Sequence, residues 1–130
     1  MHSAEFKTLR ESLGLSISTL VKIIDVDERT LRKWESGKKQ PPQGVVDTLV
    51  GLDNLVNQTA TEIIALHKES MKNGGQQGVV LERFIDAEDL AAVYPAFARL
   101  PTMTFAVVLF RVRQAFLDLG VPVSIIYKKA

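Results

Sequence analysis

The sequence contains no cysteine, which excludes a disulfide framework and any thiolate metal centre. That absence fits a protein of the cytoplasm. Long apolar runs are missing too. The longest, FAVVLF at 105–110, falls far short of the ~18 residues that a membrane span needs. The opening MHSAEFKTLR has no apolar stretch of the secretory-signal kind. Net charge is nearly absent, at +1, so the chain as a whole exerts no strong pull on nucleic acid. Catalytic patterns are lacking: no nucleophile–base spacing, no glycine-rich phosphate loop, and no partners at ligand spacing around His2 or His67. Asp86, Glu88 and Asp89 suit a helix start rather than a catalytic site. Neither an enzyme nor a cofactor is expected, and no small-molecule effector is evident.

What is present is a chain of 130 residues, 46% apolar, enough for a real core. Its charge is unevenly spread. Residues 1–40 hold eight basic and six acidic side chains, 41–100 hold four and eight, and 101–130 hold four and one. An acidic middle repels phosphate, so any contact with DNA belongs to the two basic ends.

Periodicity predicts the elements. Ser3 is a candidate cap for a helix carrying Phe6, Leu9 and Leu13, stopped at Gly14. Ser16 caps a second helix with Leu20, Ile23 and Ile24 on one stripe. Asp27 caps a third, with Leu31 and Trp34 inward and Gly37 as its end. Pro41 and Pro42 interrupt the chain and can open the next helix. Apolar positions from Val45 to Leu66 then predict one long helix over 43–72, roughly 45 Å at 1.5 Å per residue. NGGQQG at 73–78 reads as a turn or linker. VVLERFI at 79–85 and VPVSIIY at 121–127 read as strands. Between them lie a short helix capped by Asp86 and a mostly apolar helix over 102–119, of the kind that is buried in a core or between subunits. The fold expected is mainly α: a bundle of three short helices (1–42), a long connecting helix (43–72), and a small α+β C-terminal part with two short strands (73–130).

Residues 15–37, LSISTLVKIIDVDERTLRKWESG, carry a resemblance. Leu15, Ser16, Leu20 and Val26, then Asp27, Leu31 and the Trp34-Glu35-x-Gly37 exit, resemble the Cro/C1-type (XRE-like) helix-turn-helix family. The resemblance implies a lambda-repressor-like bundle that binds double-stranded DNA. Three positions depart from the family pattern. Ile17 stands where a polar residue is common and removes one contact. Val21 stands in place of the usual alanine. Asp25 replaces the turn glycine, although aspartate visits the left-handed region more readily than most residues. The layout of the whole chain, including VYP at 93–95 and the apolar helix, resembles repressors found beside anti-CRISPR genes and related bacterial DNA-binding proteins. That likeness implies a homodimer formed by the second half.

Within the third helix Glu28, Arg29, Arg32 and Lys33 face outward and are the candidate base readers, since Arg and Lys donate to guanine and Glu accepts from cytosine. Glu28 and Arg32 also stand four apart in the favourable ion-pair orientation, worth ~0.3–0.5 kcal/mol on a solvated helix. That leaves Arg29 and Lys33 as the preferred readers. Ser16, at a helix start, and Lys38, Lys39 and Gln40, past the exit turn, are the candidate phosphate contacts. The resemblance assigns Arg10 and Glu35 to a buried structural ion pair. Phe105, Val108, Leu109, Val112 and Phe116 are the expected dimer interface. Arg111 and Arg113 are candidates to pair with Glu82 or Asp86 or to lie at a dimer edge, and the tail lysines Lys128 and Lys129 read as solvated.

The function expected is a sequence-specific regulator, a homodimeric repressor on a near-palindromic operator with recognition helices ~34 Å apart. The alternative is an antitoxin or other interaction module whose apolar half holds a different protein. RNA binding ranks third, because no aromatic stacking platform is visible.

Overall fold

The computed structural model describes residues 1–74 and 77–129. It is mainly helical, with a two-stranded sheet near the C-terminus. The chain divides into two compact units, Met1–Leu55 and Val56–Ala130.

The first unit opens with α1 (Ser3–Ser12), α2 (Ile17–Ile24) and α3 (Glu28–Glu35). Two of the three predicted caps form. The Ser16 hydroxyl accepts the backbone N–H of Thr19, and the Asp27 carboxylate accepts that of Thr30. Ser3 does not cap. It lies inside α1, whose cap position is His2 with no side-chain hydrogen bond. Spacing alone places a helix start only to within a residue or two. Asp25 closes α2 in the left-handed region at φ 55° and is the one non-glycine residue with positive φ among the described residues. Phe6, Leu13, Leu15, Leu20, Leu31 and Trp34 are buried together with Val46 and Leu49. Phe6 and Trp34 meet edge to face, ring centroids 6.4 Å apart.

The long helix forms as expected and runs slightly further, as α4 (Gln43–Gly74). Rather than standing as a separate connector, it gives Val46 and Leu49 to the first unit's core and Val56, Ala60 and Ile63 to the second's. Of the turn expected at 73–78, residues 75–76 lie outside the described residues.

The second unit continues with β1 (Val79–Arg83), α5 (Ala87–Val93), a 3-10 turn at Pro95–Phe97, α6 (Thr102–Asp118) and β2 (Val123–Tyr127). The two strands pair in parallel, from Val79 opposite Val123 to Arg83 opposite Tyr127. A parallel pair needs a crossover, which α5 and α6 supply. Asp86 caps α5 through the N–H of Asp89, as its position predicts.

The expected dimer residues need correction. Phe105, Val108, Leu109, Val112 and Phe116 are at most 3% exposed within this single chain. They form the second unit's own core and present no surface to a second copy. An apolar stripe looks the same in sequence whether its cover comes from the same chain or another. The apolar side chains left in solvent are different ones, among them Met103, Phe110, Leu119, Ile126 and Tyr127. Arg111 donates to the Asn57 side chain of α4. Arg113 lies over the Phe110 ring, 5.3 Å from its centroid.

Candidate nucleic-acid interface

Helix α3 has only eight residues, too few to hold its shape alone. Its inner face anchors it. Leu31 is fully buried and Trp34 nearly so. At its C-terminal end Glu35 accepts two hydrogen bonds from Arg10 of α1, at 2.6 and 3.0 Å. The same guanidinium donates to the Leu15 carbonyl at 2.8 Å. One side chain thus ties α1, the α1–α2 connection and α3 together. The pair is buried on both sides, so its partners are locked rather than sampled.

The exit is held by the backbone. Gly37 takes φ 85°, open to glycine without strain. The N–H of Lys39 then donates to the Lys33 carbonyl, as does the Ser36 hydroxyl. This turns the chain so that Lys38 rejoins the outer face of α3.

On that face Arg29, Arg32, Lys33 and Lys38 line one open concavity of about 440 Å³, together with Ser36. Three of the four base-reading candidates therefore meet one phosphate-contact candidate around a single hollow. Sequence reasoning misses Ser36, because its neighbour relation to Lys38 depends on the glycine turn. Glu28 and Arg32 form the ion pair that their spacing allows, at 3.0 Å, and both remain more than half exposed. Among the described residues Arg29 and Lys33 make no ion pair and are exposed. Their charges, like that of Lys38, are free to meet an anion.

Lys39 and Gln40 are exposed but do not line the hollow. Ser16 lies at the start of α2. Its hydroxyl is engaged with Thr19 through both the backbone N–H and the side-chain oxygen. At the foot of α3 Asp27 is held below the usual aspartate range. The Thr30 backbone hydrogen bond is the main cause, the Thr30 hydroxyl adds to it, and the Lys33 and Arg29 charges contribute less. A carboxylate that stays ionised keeps the cap formed beside the Arg29 and Lys33 charges.

Two capped helices meeting at a tight left-handed turn, with a basic outer face on the second, define a helix-turn-helix module. Residues 6–52 match the family model described as Helix-turn-helix, and this segment is a helix-turn-helix domain of the Cro/C1 (XRE-like) type. A comparison with curated proteins finds no match to the chain. The family supports a DNA-binding regulator of the XRE kind. No helix among the described residues is long and apolar enough to cross a membrane.

Proposed function

We propose that this chain is a sequence-specific repressor that binds a near-palindromic operator as a homodimer. The observation that carries the reading is the concavity on α3, where Arg29 and Lys33 stand exposed beside Arg32 and Lys38. Arg29 and Lys33 are the principal base readers, each able to donate two bonds to guanine. Arg32 reads or binds phosphate once Glu28 releases it, and Glu28 can itself accept from cytosine. Lys38, Lys39, Gln40 and the N-terminus of α2 at Ser16 hold the backbone. A single such domain covers little surface, and two copies on one face of the duplex set the spacing of the half-sites. The surface for pairing two chains is drawn from the second unit's exposed apolar residues, not from its core.

Selection of bound duplexes from a random pool tests this directly. The wild-type chain is expected to enrich an inverted repeat with G·C pairs in each half. Arg29→Ala and Lys33→Ala should relax the preference at separate positions. An unchanged preference in both variants would remove these residues as readers.

A second reading rests on Val80, Ile85, Val93, Met103 and Phe110, all exposed on the second unit. In that reading these side chains hold a different protein, as in an antitoxin. Light scattering of the chain alone separates the two, since a monomer that binds operator weakly favours the second.

A further inference from the structure

The second unit contains a cleft that plays no part in the proposed reading of DNA, although Val80 and Val93 on its wall also belong to the exposed apolar patch of the second reading. It has a volume of about 230 Å³ and is bounded by α4, β1, the end of α5, α6 and Lys128 beyond β2. Its apolar wall includes Phe84, Tyr94 and Phe105, which pack edge to face or tilted with centroids 4.8–6.1 Å apart. Rings clustered this tightly present a rigid apolar floor at little entropic cost.

The polar groups of the cleft are few and of both signs. Glu82 lies on β1 opposite Ile126. Lys128 continues the ladder, its N–H donating to the Arg83 carbonyl. Side chains alternate along a strand, so Glu82 and Lys128 stand on the same face of the sheet. Both line the cleft, yet they form no ion pair with each other or with any other described residue. Lys128 Nζ instead lies over the Phe84 ring, 5.0 Å from its centroid, at the edge of the aromatic floor. Tyr94 is half-buried. Burial first, and the Glu62 charge second, raise its pKa, so it remains a neutral donor. No hydrogen bond from its hydroxyl appears among the described residues.

An acid and a base left unpaired across an aromatic floor are complementary to a molecule carrying both charges and an apolar group. The volume lies below the roughly 300–1,000 Å³ typical of sites for drug-sized ligands, which restricts the occupant to something small. We propose that this cleft binds a free α-amino acid with an apolar or aromatic side chain. Lys128 faces its carboxylate, Glu82 its ammonium, and Phe84, Tyr94 and Phe105 its side chain. No local pattern along the chain signals such a site, because its lining is drawn from residues between Ile63 and Lys128.

Calorimetric titration of the full-length chain with phenylalanine and leucine tests the assignment. Phenylacetate and phenethylamine serve as probes that each lack one charge. The expected result is saturable binding of at least one of the two amino acids. Glu82→Gln and Lys128→Met should each weaken it about tenfold or more, as should omission of the matching ligand charge, given the strength of charge-assisted hydrogen bonds. Both side chains lie outside the core, and circular dichroism checks that the variants fold. No saturable binding at millimolar concentration would overturn the proposal. So would equal binding of the single-charge probes, or undiminished binding in both variants. The titration contains no DNA, so its outcome is independent of the operator selection.

Discussion

Arg10 and Glu35, twenty-five positions apart, form a two-pronged pair that is almost entirely removed from solvent. Truncating Glu35 leaves the guanidinium buried with only the Leu15 carbonyl. Glu35→Ala is therefore expected to cost about 3–5 kcal/mol, the range for breaking a buried pair from one side. Urea denaturation checks this. A loss below ~1 kcal/mol would mean that water replaces the carboxylate freely.

Lys38 lines the hollow of α3 and is proposed here as a phosphate contact. Lys38→Ala is expected to weaken binding to all duplexes alike. It should also lower the salt slope by roughly 0.9, the value for one phosphate no longer neutralised. Affinity measured across a series of salt concentrations gives that slope. A variant that changes the preferred sequence instead would place Lys38 among the readers.

Asp27 links pH to the integrity of α3. Its lowered pKa means that the folded chain holds the carboxylate form more strongly than the unfolded chain does. Its contribution is complete above about pH 3.8 and is lost as the pH falls through the lowered folded value. Asp27→Asn keeps an acceptor for the Thr30 N–H but cannot titrate. The protection factor at Thr30, which removes the intrinsic pH dependence of amide exchange, is expected to fall in acid for the wild type and to stay level for the variant.

Phe105 and Ile126 separate core from surface in the second unit. Phe105 is 2% exposed and Ile126 49%. Phe105→Ala is expected to cost about 3–5 kcal/mol. Ile126→Lys should leave the melting temperature nearly unchanged while shifting any self-association. A sedimentation profile insensitive to Ile126→Lys would move the paired surface elsewhere on this unit.

Thr104 is fully buried on α6, and its hydroxyl has no hydrogen-bond partner among the described residues. Thr104→Val has nearly the same shape and removes the stranded polar atom, so stability should rise by about 1–3 kcal/mol. A lower denaturation midpoint for the variant would point to a hydroxyl contact made in solution.

Much of this can be read along the chain. The caps at Ser16, Asp27 and Asp86 and the inward Leu31 and Trp34 follow from local rules, because the signals lie within a few residues of one another, whereas the left-handed turn at Asp25 is expected from the resemblance. Arg10 and Glu35 are far apart in sequence. Their pairing is legible only through the resemblance, since buried ion pairs leave no periodic trace. The strands at 79–85 and 121–127 are visible, but their parallel pairing is not, because it depends on how the intervening helices cross. The fate of α6 is likewise hidden. Phe105, Val108 and Val112 mark a buried stripe without naming what buries it. Ser36 and the second unit's cleft lie beyond any local rule, because both are assembled by turns and crossovers.

The brevity of α3 sets a condition on everything its outer face does. Eight residues fall below the ~12–15 at which an isolated helix becomes even marginal in water. A synthetic peptide spanning this element should therefore be unstructured and inert toward duplexes. Heat that melts Phe6 and Trp34 out of register should abolish operator recognition in the same cooperative step, making DNA retention itself a thermometer for the bundle.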